Sequence, residues 1–171
     1  IRDRLERENF ETLSMEYYDR EAIDEKTGMT VYDYMSMVIE ECRSFVEHFG
    51  EEKGSILFTG NTGCGKTFLS SCIARELIRR CYSVVYLTAT DLFDILSESR
   101  FGSREEEEAK ERASGILDCD LLIIDDLGTE LINTFTVSQL FYCVNERLNR
   151  QKGTIISTNL SLNRLRDEFT E

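Results

Sequence analysis

The stretch "SILFTGNTGCGKTFLSSCIA", residues 55–74, runs from apolar residues into a glycine-rich knot and out into a second apolar run with a helical period. "GNTGCGKT" fits the pattern GxxxxGK[ST], which needs a β-strand before it and an α-helix after it. Glycines at 60, 63 and 65 admit backbone angles and close approaches that a side chain would block, so successive N–H groups can point inward around a β-phosphate. The following helix adds the positive end of its dipole. Lys66 is then placed to reach β- and γ-phosphate oxygens, and the Thr67 hydroxyl to ligate magnesium. The expected nucleotide contacts are Gly60, Asn61, Thr62, Gly63, Cys64, Gly65, Lys66, Thr67 and Phe68, around a nucleoside triphosphate and its magnesium ion.

The surroundings supply the context that this loop requires. Strands are expected at 55–60, 83–89, 120–128 and 153–158, and helices at 31–49, 66–81, 90–101, 103–117 and 134–150. Thr30 and Thr90 are the expected caps of two of these helices. In the first long helix, Tyr34, Met37, Val38, Cys42, Phe45, Val46 and Phe49 fall at three- and four-residue steps and predict one core-facing side. Strands apolar on both faces and separated by helices mean an α/β fold, a parallel sheet covered on both sides. Residues 1–29, polar and charged with isolated aromatics, form a leader segment; residues 30–171 form the nucleotide-binding domain.

The strand "LLIIDD", residues 121–126, ends in two carboxylates at the sheet edge where ligands bind in open parallel sheets. Asp125 is the expected magnesium-side acid, and Asp126 the group that polarises the water attacking the γ-phosphate. A buried strand ending in two acids is costly unless a cation satisfies them. The strand "TIIST" leads into Asn159, whose amide either holds the attacking water or a γ-phosphate oxygen, or simply forms a turn.

Bulk properties narrow the partners. A chain of 171 residues with 41% hydrophobic content buries one core, and a formal net charge of −13 argues against holding nucleic acid through bulk electrostatics. Six cysteines, at 42, 64, 72, 81, 119 and 143, form no CxxC pair and read as free thiols in a reducing, cytoplasmic compartment. No run approaches the roughly 20 apolar residues of a bilayer span. The chain opens at Ile1 and stops in "RDEFTE" with helix-like sequence still running, so both ends are expected to be cuts.

"GNTGCGKT", "LLIIDDLGTE" and "TIISTNLS", in this order, resemble the nucleotide-binding core of the AAA+ ATPases, with Asn159 at the sensor 1 position. "NFETLSMEYYD", "SVVYLTATDLFDIL" and "STNLSLNRLR" are similar to the DnaC/DnaI-type bacterial replicative helicase loaders, and the IstB-type transposition helpers share much of the pattern. The resemblance runs from about Phe10 to the end of the chain. It implies a three-layer P-loop NTPase core with a mostly parallel sheet that stops before the last core strand and the helical lid. It also implies an ATPase using ATP and magnesium, with Lys66, Asp125, Asp126 and Asn159 as catalytic residues and Thr67 and Asp125 on the metal. The implied partners are the replicative DNA helicase, single-stranded DNA and further copies of the chain; the alternatives are a transposition helper, or an assembly module that uses ATP as a structural ligand without hydrolysing it. The family's arginine finger and second sensor would lie past residue 171, so weak hydrolysis is expected of this stretch alone.

Three features have two readings. Arg100, Phe101 and Arg104 offer cations and a stacking face to single-stranded DNA, yet the neighbouring "REEEEAKER" would repel phosphates and favours a solvated helix. Phe10, Tyr17 and Tyr18 either line an adenine pocket or pack the leader on the core. Arg164 and Arg166 either stand in for the family's arginine finger, for which they sit too close after the sensor strand, or are surface arginines of a helix; His48 reads as a surface residue.

Overall fold

The computed structural model describes residues 2–25, 27–51, 54–98, 106–129 and 133–169. Arg100, Phe101 and Arg104 lie outside the described residues. Four strands, β1 (Ile56–Thr59), β2 (Val84–Thr88), β3 (Leu121–Leu127) and β4 (Gly153–Thr158), form one parallel sheet in the order β1-β4-β3-β2. Period-two alternation splits β3 cleanly. Leu121 and Ile123 pack with α2 (Val31–His48) and α3 (Lys66–Arg79) on one face, while Leu122 and Ile124 pack with α4 (Ala89–Glu98), α5 (Glu106–Asp118) and α6 (Thr134–Asn149) on the other. The result is the expected three-layer arrangement, with α7 (Leu162–Phe169) following β4.

Burial on both faces holds for β3 and nearly all of β4, but not for the outer strands. β2 is half-buried along most of its length, and β1 alternates, leaving Leu57 exposed. The difference follows from position in the sheet, because a strand at the side has fewer neighbours to cover it. The helix at 31–48 keeps its Thr30 cap, whose hydroxyl accepts from the Asp33 amide. Its buried face, however, is Met35, Ile39, Cys42 and Val46, with Phe49 just beyond, whereas Tyr34 and Met37 are exposed. An apolar set this wide spans more than one helix face, and periodicity alone does not choose which part meets the sheet. The cap of α4 is also shifted: Thr88, not Thr90, accepts from the Asp91 amide, and Asp91 accepts in return from the Thr88 hydroxyl at 2.7 Å.

The leader carries structure that its polarity conceals. It holds a short helix, α1 (Arg2–Arg7), and a 3-10 turn, Met15–Tyr17; Leu5, Phe10, Leu13, Met15 and Tyr18 pack on the α2/α3 core. Of the cysteines, 42, 72, 119 and 143 are buried while Cys64 and Cys81 are exposed, and all are free thiols. Among the described residues no helix is long and apolar enough to cross a membrane.

The end of the sheet away from the loop is closed by Arg147, which is fully buried. Its guanidinium donates to the carbonyls of Ile116, Cys119 and Gly153 and to the Thr154 hydroxyl, tying α5, α6 and β4 together. The Cys119 thiol lies 3.2 Å from the same guanidinium.

Candidate functional site

The loop leaves β1 at Gly60 and enters α3 at Lys66, with Gly65 as the N-cap at φ 96°, a left-handed angle that suits a residue without a Cβ. Lys66 is only 7% exposed, and its ammonium donates to the carbonyls of Gly60 (2.7 Å) and Asn61 (2.9 Å) and to Asn159 Oδ1 (2.8 Å). All three acceptors are neutral. Cys64 Sγ stands 3.8 Å from the same nitrogen. Burying a cation without a carboxylate is costly, and the described residues place no acid against Lys66; the arrangement suits an anionic ligand.

Across the loop, Thr67 Oγ1 donates to Asp125 Oδ1 at 3.1 Å. Asp125 is buried and takes further hydrogen bonds from the Ser157 hydroxyl on Oδ1 and from the Tyr86 hydroxyl on Oδ2, the latter at 2.7 Å. Arg4 Nη2 lies 3.7 Å from Oδ2. Burial, followed by the hydrogen bond to Asp125, pushes the Tyr86 phenol up, so it stays protonated and donates.

After Asp125 the chain breaks register. The β3/β4 pairing shifts between Ile124 and Leu127, and Asp126 adopts φ 57° with its amide donating to Ser157 Oγ at 3.1 Å. This bulge turns Asp126 off the strand's alternation and leaves it exposed at the sheet's carboxyl end. Two strand ends then close tightly. A Cβ on Gly128 would come within 2.5 Å of Leu160, and the Thr158 hydroxyl donates to the Leu127 carbonyl at 2.7 Å. Asn159 projects from this junction onto Lys66, 93 residues away in sequence.

The structure therefore gathers Lys66, Thr67, Asp125, Asp126 and Asn159 at one edge, with Gly60 to Phe68 forming the loop and the start of α3. Two adjacent oxygens, from Thr67 and Asp125, are hard donors of the kind magnesium takes from a protein while phosphates and waters complete its shell. Among the described residues no three His, Cys, Asp or Glu side chains form a cage, which this ion does not need. Of the three aromatic candidates, only Tyr18 reaches the loop, its hydroxyl 3.6 Å from where a Cβ on Gly65 would lie. Phe10 is covered by Arg43 at 4.5 Å, and Tyr17 is 88% exposed. Arg164 pairs with Glu168 on the α7 surface, and His48 bonds back to the Ser44 carbonyl. The structure adds Ser157, Tyr86 and Arg4 to the expected residues. Ser157 had a signal, a polar residue inside an apolar strand; Arg4 had none.

Comparison with known proteins agrees with this geometry. The family model of IstB-like ATP binding proteins matches residues 17–171. The replicative helicase loader DnaC of Escherichia coli (strain K12) is 27% identical over 124 residues, 72% of this chain and 50% of that protein. An ATP-binding protein of insertion sequence IS232 from Bacillus thuringiensis subsp. berliner is also 27% identical, over 113 residues, 66% of this chain and 43% of the relative. The chain thus spans half the length, or less, of these curated relatives. A DnaC helicase loader crystal structure superposes with TM-score 0.71 at 22% identity, covering 97% of this chain and 89% of that one. For DnaI the values are 0.74, 22%, 99% and 81%.

Proposed function

This chain belongs to the family of IstB-like ATP binding proteins, and we propose that it binds and hydrolyses ATP as the motor of a replicative helicase loader. The observation that carries the nucleotide reading is the Lys66 ammonium, buried at the mouth of a glycine loop and held by three neutral oxygens, with no carboxylate against it among the described residues. A phosphate oxygen in place of a carbonyl would set an opposite charge against the ammonium, which the carbonyls do not supply. In this reading the loop amides and Lys66 hold the β- and γ-phosphates, while Thr67 and Asp125 hold magnesium, which screens the charge that develops on the phosphates. Asp126 accepts a proton from the attacking water, and Asn159 orients that water or a γ-oxygen.

Replacing Asp126 by asparagine is expected to lower steady-state ATP turnover of the full-length protein by about 10²–10⁴-fold, the range for a lost general base, with ATP affinity changed less than twofold. Equal turnover in both proteins would remove Asp126 from the mechanism. Absence of turnover in both would favour ATP as a structural ligand.

The similarity to DnaC, a replicative helicase loader, supports the replicative helicase as partner; single-stranded DNA and further copies of the chain are the other partners of this reading. The similarity to the insertion-sequence protein favours a second reading, a transposition helper with the same chemistry. A pulldown of the full-length protein separates them: retention of the replicative helicase is expected, and failure to retain it would sink the loader assignment.

A further inference from the structure

Asp125 has two carboxylate oxygens in different company. Oδ1 accepts from Thr67 and Ser157, on the loop side. Oδ2 accepts from Tyr86 and faces Arg4, on the leader side. Tyr86 stands on β2 opposite Ile123, two residues before Asp125, so its side chain rises on the same face of the sheet. Arg4, from α1, lies 5.2 Å over the Tyr86 ring and is itself paired with Glu8 at 2.8 Å. Glu8 in turn accepts from the Ser71 hydroxyl of α3 at 2.8 Å. The leader helix is thereby hydrogen-bonded to the helix that follows the loop and braced against the acid that faces it.

We infer that Tyr86 is a positioning residue for magnesium–nucleotide binding and that Arg4 clamps it, which makes the leader helix part of the nucleotide site. The inference rests on the nucleotide reading proposed above. The terminal torsion of an aspartate is broad, so hydroxyls on one oxygen alone leave the carboxylate plane free to swing. A donor on Oδ2 fixes that plane and keeps a lone pair of Oδ1 aimed at the Thr67 hydroxyl, where the metal would share the oxygen. Partners that orient a metal-site acid in this way are typically worth 10–100-fold in metal affinity. Arg4 contributes through the ring and the carboxylate edge rather than through net charge, because Glu8 neutralises it at 2.8 Å.

The test is binding of mant-ATP (N-methylanthraniloyl-ATP) to this chain, followed by fluorescence while MgCl2 is titrated, and repeated in excess EDTA. Tyr86→Phe keeps the ring and removes only the hydroxyl. The MgCl2 needed for half-maximal binding is expected to rise about tenfold, with mant-ATP affinity in EDTA within twofold of the parent. Arg4→Ala, at a partly exposed position that puts folding at little risk, is expected to move the MgCl2 midpoint in the same direction by about threefold. An unchanged midpoint in Tyr86→Phe, or an equal loss with and without magnesium, would overturn the positioning role. A lower midpoint in Arg4→Ala would make Arg4 a competitor for the carboxylate and overturn the clamp. Should the parent chain bind mant-ATP in neither condition, the nucleotide reading itself falls; should it bind equally in both, only the inference does.

Discussion

Lys66→Ala is expected to weaken ATP binding by about 100-fold or more, measured by calorimetric titration of the full-length protein. The side chain is buried and its ammonium sits within 2.9 Å of three oxygens that converge from the loop and from the β4 end. Each hydrogen bond from a charged donor contributes about 1.5–3 kcal/mol, so the loss of two phosphate contacts alone spans a hundredfold and more. Lys66→Arg is expected to fail as well, since a planar five-donor fork does not fit where a compact ammonium touches the Gly60 and Asn61 carbonyls together. The lysine has a second duty that alanine would also remove, the tie to Asn159 Oδ1. An affinity loss below threefold would take Lys66 out of the site.

The largest expected effect on stability lies at the opposite end of the sheet. Arg147→Met keeps most of the side chain's length but strips the donors from three buried carbonyls and the Thr154 hydroxyl. Unpaired buried acceptors cost about 1–3 kcal/mol each before relaxation, and a buried charged group deleted from its partners costs about 3–5 kcal/mol in total. At about 2–4 °C per kcal/mol for a chain of this size, the thermal midpoint should fall by roughly 10 °C. Nucleotide affinity measured well below that midpoint should be unchanged, because Arg147 lies at the far end of the strands. A shift of less than about 2 °C would show that water replaces the guanidinium at no cost.

What could be read from the residues alone follows a physical division. "GNTGCGKT" and "LLIIDD" were legible because a phosphate cradle and a two-faced buried strand demand residue types at fixed spacing. The parallel sheet followed from strands apolar on both faces, and β3 and β4 have that character; β1 and β2 do not, since burial of a strand depends on its place in a sheet order that no single segment encodes. Along α2 the expected Val38, Cys42, Phe45, Val46 and Phe49 do pack on the core, but Tyr34 and Met37 are exposed and Met35 and Ile39 are buried in their stead, a choice that only the neighbouring elements make. Tyr86 and Arg4 acquire meaning through pairings 39 and 121 residues away, separations to which local periodicity is blind. Nothing in the residues around Arg147 marks it as buried. Its surroundings, carbonyls released where α5 ends and where β4 begins, exist only once the layers are assembled.

The strand order has a consequence for how this protein comes into being. Among the described residues β1 hydrogen-bonds only to β4, and about a hundred residues separate Thr59 from its partner Thr158. At roughly 5–20 residues per second, a ribosome takes about 5–20 s to make that interval. Throughout it, the nascent strand that precedes the loop has no neighbour to pair with, and the ammonium of Lys66 has no Asn159 to meet. Newly made chains therefore pass through a stage in which β1 waits, apolar and without its β4 partner, and this is the stage at which it is open to chaperone capture.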